Sequence, residues 1–160
     1  MTRAAILTLS DKGSAGLRAD ESGPAAREML ASIGIETAVY EVIPDEKEIL
    51  RGKLLKYSGE VDLIVTNGGT GLSPRDITPE TTLEVIDKEI PGIAEAMRLE
   101  GLKKTKMAML SRGVAGTRGQ CLIINLPGSP KAVRESLGAV LEAVPHAIEK
   151  IKGSARECAR

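Results

Sequence analysis

Short apolar runs alternate with amphipathic stretches along the chain, and this alternation predicts a βαβ order of elements. Residues 4–9 form an apolar run closed by Ser10-Asp11-Lys12-Gly13, the pattern of a buried strand and its exit loop. Glu21-Ser22-Gly23-Pro24 opens a helix that runs to about residue 33, where Gly34 stops it. Residues 36–43 are rich in β-branched side chains and predict the second strand. Asp45 with Glu48 three positions later resembles a capping box, and the helix it starts extends to about residue 57. Residues 61–66 predict a third strand, followed by a Gly-rich loop over 67–76. Thr78-Pro79 is a cap and first-turn pair for the next helix, Pro91-Gly92 breaks it, and residues 93–102 begin another.

Further on, residues 106–110 predict a short strand and 111–119 a flexible segment. The most apolar strand of the chain follows at 121–126, and Pro127-Gly128-Ser129-Pro130 turns into two helices, 131–141 and 145–151. Strands of this kind, alternating with helices, assemble as a mostly parallel sheet covered on both faces, a three-layer α/β/α fold. No repeat or linker interrupts the pattern, so residues 3–152 are expected to form a single domain and 153–160 a flexible tail. In parallel sheets ligands bind at the carboxyl ends of the strands, near a topological switch point. The polar and Gly/Pro segments of this chain follow those ends: Ser10-Asp11, Pro44-Asp45, the Gly-rich loop, and residues 125–130.

Composition narrows the function. The 160 residues contain 22 Lys and Arg and 22 Asp and Glu, a formal net charge of zero. There is no Trp or Phe and only Tyr40 and Tyr57, so neither an electrostatic footprint for nucleic acid nor a base-stacking platform is present. No apolar stretch approaches the roughly 20 residues of a membrane span. The start of the chain lacks the pattern of a signal peptide, so a cytoplasmic protein is expected. Cys121 and Cys158 make neither a disulfide framework nor a zinc site, and the single His146 lies in a helical stretch.

The strongest local signal is Asn67-Gly68-Gly69-Thr70-Gly71-Leu72-Ser73-Pro74-Arg75-Asp76, just upstream of a helix. Glycines let backbone amides approach an anion closely, and Thr70 and Ser73 add hydroxyls, although a plain surface loop has the same composition. It is neither a Walker A loop nor a dinucleotide fingerprint. Asp45 and Asp76 stand at loop-to-helix junctions on the same edge and suit Mg²⁺ with its oxygen ligands; Asp45 equally suits a helix cap. Arg112 and Arg118 flank a Gly-rich stretch, as an anion clamp or as solvated surface. Met97, Met107 and Met109 sit at core-like spacings.

Together the segments resemble the molybdopterin adenylyltransferase family, of the MogA type and the related G domain of plant and animal cofactor-synthesis proteins. The matching stretches are Ile6-Leu7-Thr8-Leu9-Ser10-Asp11, Asp20-Glu21-Ser22-Gly23-Pro24, Ile43-Pro44-Asp45-Glu46, residues 67–80, Ala108-Met109-Leu110-Ser111-Arg112 and Ile124-Asn125-Leu126-Pro127-Gly128-Ser129-Pro130. The Gly-Gly-Thr-Gly…Arg-Asp-x-Thr-Pro-Glu core is the specific part, and Asn67 is a mild departure from the family pattern. The resemblance implies a molybdopterin-binding-like fold and transfer of AMP from ATP to the terminal phosphate of molybdopterin, with Mg²⁺ required. It implies that Asp45 and Asp76 organise metal and nucleotide phosphates and that Gly68, Gly69, Thr70 and Gly71 cradle those phosphates. Ser10, Asp11 and Ser14 would line the rim, and Thr78 would cap the helix beneath it. Ser111, Arg112, Asn125, Pro127, Gly128 and Ser129 would contact pterin or adenylate. It further implies a homotrimer and a downstream molybdenum-insertion protein as partner. The alternative is a MoaB-like carrier that binds molybdopterin without catalysis.

Overall fold

A computed structural model describes residues 1–155; the last five residues of the expected tail, 156–160, lie outside the described residues. The sheet has six strands: β1 (Arg3–Leu9), β2 (Glu36–Ile43), β3 (Leu63–Asn67), β4 (Lys88–Glu89), β5 (Ala115–Arg118) and β6 (Cys121–Leu126). They lie in the order β2-β1-β3-β6-β5-β4. The first four in that order are parallel, β5 is antiparallel to β6, and β4 is antiparallel to β5. The helices are α1 (Asp11–Ser14), α2 (Ser22–Ser32), α3 (Lys47–Tyr57), α4 (Thr78–Val85), α5 (Pro91–Leu102), α6 (Pro130–Val140) and α7 (Ala143–Ile151), with a 3-10 helix at Lys106–Leu110.

The three layers follow from the period-2 alternation of side chains in the central strands. Ala4 and Ile6 of β1, Leu63 and Val65 of β3, and Leu122, Ile124 and Leu126 of β6 face one core with Leu30, Leu137, Val144 and Ile148 from the helices. Ala5, Leu7, Ile64, Cys121 and Ile123 point the other way, against Leu50, Leu54 and Tyr57 of α3 and Val85 of α4. Each of the fully buried Leu and Ile side chains contributes about 1.5–3 kcal/mol, so this strand set dominates the stability. Among the described residues no helix is long and apolar enough to cross a membrane.

Several local expectations are corrected. Residues 106–110 form a 3-10 helix outside the sheet rather than a strand, with Met107, Met109 and Leu110 exposed instead of packed in the core. The segment expected to be flexible contains β5, paired along its length with β6. Ser10–Gly13 is not a plain loop: the Ser10 hydroxyl oxygen accepts the Gly13 N–H and caps α1. Asp45 does not cap α3, whose first flanking residue is Glu46 and has no side-chain cap. Thr78 is likewise inside α4 rather than at its cap position.

Pairing aligns the carboxyl ends of the parallel strands. Thr8 lies opposite Asn67, and Asn67 opposite Leu126, so Ser10, Gly68 and Pro127 leave the sheet along one edge. The chain departs from β1 toward β2 on one side, while β3 and β6 lie on the other. The switch point is therefore between β1 and β3, where a crevice is expected.

Candidate active site

A cleft of about 540 Å³ opens at that switch point. Ser10, Asp11, Asp45, Gly68, Gly69, Asp76, Gly128 and Ser129 all line it. A shallower groove of about 430 Å³ continues past the glycine loop, adding Thr70, Gly71, Ser111 and Pro127. Ser14, Thr78, Arg112 and Asn125 line neither of the two.

The glycine loop is shaped by two consecutive left-handed residues, Gly68 at φ +98° and Gly69 at φ +68°. A side chain at either would collide: a Cβ on Gly68 would stand 2.8 Å from the Leu9 carbonyl oxygen, and one on Gly69 2.2 Å from Thr78 Oγ1. The turn is locked from below, where Thr78 Oγ1 donates to the Gly68 carbonyl at 2.9 Å and the Thr78 N–H to that of Gly69 at 3.1 Å. Arg112 braces the far end. Its Nε donates to the Gly71 carbonyl at 2.8 Å, Nη2 to the Asp76 carbonyl at 3.0 Å, and Nη1 to Glu80. The guanidinium thus holds protein rather than facing the cleft, as does Arg118, which donates to the Val85 carbonyl.

The two acidic residues approach this loop from different elements. Asp45 follows β2, and its position is fixed by a reciprocal clasp: Asp45 Oδ2 accepts the Asp11 N–H at 3.1 Å, while Asp11 Oδ1 accepts the Asp45 N–H at 3.0 Å. Arg75 then grips Asp11 bidentately, at 2.8 and 2.9 Å, and Glu46 at 3.0 Å. The hydrogen bonds from Arg75 hold the Asp11 carboxyl below the usual carboxylate range. Asp76 Oδ2 accepts the Ser73 N–H at 2.9 Å.

Burial pushes the Asp45 carboxyl up; the Asp11 backbone amide opposes this, and the charges of Asp11 and Asp76 add to it. The charge of Arg75, held by Asp11 and Glu46, works against the rise. Among the described residues no group of three or more His, Cys, Asp and Glu is placed to hold a metal ion. A pair of carboxylates nonetheless fits Mg²⁺, which is commonly bound through one or two carboxylates together with waters and substrate phosphates.

The same cleft is lined by Asp20, which stands in a matching stretch but received no role from the sequence. Both carboxylate oxygens of Asp20 are engaged: Thr8 Oγ1 donates at 2.8 Å and Tyr40 Oη at 2.6 Å, and the amides of Ser22 and Gly23 donate at 2.9 and 3.2 Å. Burial, with Asp20 close by, pushes the Tyr40 phenol up to about 12. Only glycine fits at position 23, where a Cβ would meet the Tyr40 ring at 2.3 Å. Ser22 Oγ donates to the Gly128 carbonyl, tying α2 to the loop before α6. Asp20→Asn puts an amide donor among four donors and is expected to lower stability by about 2 kcal/mol in urea unfolding, with Tyr40→Phe costing about half as much.

The other expected site residues fall into supporting positions. Ser129 Oγ accepts the Ala132 N–H and caps α6, at a residue that lines the cleft. Ser14 Oγ donates to the Asp11 carbonyl. Asn125 is buried within the sheet, donating to Thr66 and Thr82 at 3.0 Å each and accepting from the Val114 N–H. His146 is on α7, outside the cleft.

Comparison with known proteins agrees with this architecture. The family profile described as "Probable molybdopterin binding domain" matches residues 5–146. The molybdopterin adenylyltransferase of Helicobacter pylori is 44% identical over 153 residues, covering 93% of this chain and 87% of that protein. The molybdopterin adenylyltransferase of Escherichia coli is 38% identical over 169 residues, with 94% and 86% covered. The crystal structure of the molybdopterin biosynthesis enzyme MoaB from Thermus thermophilus superposes with a TM-score of 0.91 at 56% identity, covering 96% of this chain and 98% of that one. With its six-stranded sheet, its glycine loop at the switch point and a profile match over most of its length, this chain belongs to the molybdopterin-binding domain family.

Proposed function

We propose that this protein is a molybdopterin adenylyltransferase, moving AMP from ATP onto the terminal phosphate of molybdopterin with release of pyrophosphate. The observation that carries this reading is the convergence of Asp45 and Asp76 on one glycine loop at the switch point of the sheet. Relatives named for the same reaction match over most of the chain.

The chemistry asks little of general bases. The attacking group is a phosphate monoester, whose second pKa of about 6 leaves it largely ionised at neutral pH. One of its oxygens bonds to the α-phosphorus of ATP, the bond from that phosphorus to the β-phosphate oxygen breaks, and its electron pair leaves with pyrophosphate. The demand on the protein is to bring two polyanions together and hold them in line. Gly68, Gly69, Thr70 and Gly71 present backbone to the nucleotide phosphates, with Arg112 and Thr78 keeping the loop from relaxing. Asp45 and Asp76 would hold Mg²⁺, which supplies positive charge to the phosphoryl oxygens when bound. Ser10 and Asp11 complete the rim, and Ser111 with residues 127–129 lies on the groove where pterin or adenylate would contact the protein.

On this reading the protein works in the cytoplasm and hands its product to a molybdenum-insertion protein. It assembles as a homotrimer; the exposed Leu99, Leu102, Met107, Met109 and Leu110 around the end of α5 and the 3-10 helix support an assembled state. The test of the function is turnover: pyrophosphate formed from ATP in proportion to molybdopterin supplied.

A further inference from the structure

Two cations of the cleft are unmatched. Lys12 on α1 and Arg18 in the loop of residues 15–21 both line the cleft, and among the described residues neither side chain forms an ion pair. This is not for want of nearby carboxylates. Asp11 is gripped by Arg75, Asp20 is held by Thr8, Tyr40 and two amides, and Asp45 and Asp76 face the glycine loop. Glu21 also lines the cleft, exposed at the start of α2. The remaining arginine near the loop, Arg112, is used up by carbonyls and Glu80. A cleft that binds a polyphosphate therefore has two uncommitted cations on the wall built by α1 and its following loop.

That wall is also pinned. The Leu17 N–H donates to the Lys12 carbonyl at 2.9 Å and the Gly16 N–H to that of Gly13 at 3.1 Å. At the other end the loop is anchored by the donors on Asp20. Arg18 thus stands between two fixed points, so its backbone adds little ordering cost when the side chain meets a ligand. A guanidinium fork beside a lysine point charge is a pairing well suited to phosphate oxygens.

We propose that Lys12 and Arg18 bind the β- and γ-phosphates of the nucleotide, the half that leaves as pyrophosphate. The assignment deepens the adenylyltransferase reading and rests on it for the direction of the reaction. When the bond between the α-phosphorus and the bridging oxygen breaks, the electron pair stays on pyrophosphate, and the two cations neutralise that developing charge without any proton transfer.

The experiment is calorimetric binding of inorganic tripolyphosphate and, separately, of AMP to the full chain in Mg²⁺, for the wild type and for Lys12→Ala, Arg18→Ala and Arg18→Lys. Each alanine variant is expected to weaken tripolyphosphate binding about tenfold, leave AMP binding unchanged, and melt with the wild type. Arg18→Lys recovers part of the loss. Tripolyphosphate that fails to bind the wild type, or binds the alanine variants as tightly, overturns the assignment; so does an equal loss of AMP. Because molybdopterin is absent from the assay, binding that depends on Lys12 and Arg18 stands even if no AMP is transferred. Conversely, transfer with an unchanged KM for ATP in both alanine variants overturns the cation site and leaves the transferase reading intact.

Discussion

Asp76→Asn and Asp45→Asn are each expected to lower adenylyl transfer by about a hundredfold or more, while thermal unfolding moves by only a few degrees. The separation follows from what each carboxylate does in the fold. Asp76 accepts the Ser73 N–H and Asp45 accepts the Asp11 N–H. An asparagine carbonyl oxygen accepts both of these bonds, so the turn and the clasp survive. What is lost is negative charge at the mouth of the glycine loop, which on the proposed role of the pair is what would hold a divalent cation. Initial rates set beside melting curves measure the two effects independently. A loss of activity matched by an equal loss of stability would assign both residues to scaffold.

Gly69→Ala is expected to be the most damaging single-methyl change on the cleft. Alanine in the left-handed region costs about 1–2 kcal/mol before any contact is counted. The added carbon would also stand 2.2 Å from Thr78 Oγ1, 3.3 Å from Thr78 Cβ and 3.5 Å from Asp45 Oδ1. Thr78 is fully buried in the first turn of α4 and cannot swing away without releasing the Gly68 carbonyl. The variant is expected to lose about 3 kcal/mol of stability, together with its activity, because Asp45 and the loop shift together. Adding Thr78→Ala removes the collision but leaves the backbone strain. The double variant is therefore expected to be more stable than the sum of the two single losses allows, by about 1 kcal/mol in denaturant titrations. Strict additivity would place the strain elsewhere.

The parts of the fold legible in the sequence are those where one physical signal dominates. Strands β2 and β6 begin and end where a β-branched or apolar run meets Gly, Pro or a charge, and the pattern located both at their observed limits. The β4–β5 pair has no such signal. β4 is two exposed charged residues, and β5 is built on Ala115 and Gly116, small because a Cβ at Gly116 would press to 2.5 Å on the Lys88 carbonyl. Close packing by absence of side chain does not look hydrophobic. The glycine loop and the acidic pair were readable because strand ends in a parallel sheet converge on one edge. The roles of Arg112 and Asn125 were not, because a side chain's partners across 41 or 43 positions leave no local trace. Asp20 stood in a matching stretch without a role: the amides of Ser22 and Gly23 are local partners, but Thr8 and Tyr40, 12 and 20 positions away, are brought to it by the fold.

The measurement that bears most directly on the central claim is pyrophosphate release by the purified protein given ATP, Mg²⁺ and molybdopterin, with molybdopterin omitted as the control. Release is expected only when molybdopterin is present, one pyrophosphate for each adenylylated pterin. Tight molybdopterin binding that ignores ATP and Mg²⁺ and yields no pyrophosphate would contradict that claim, and would make the protein a carrier.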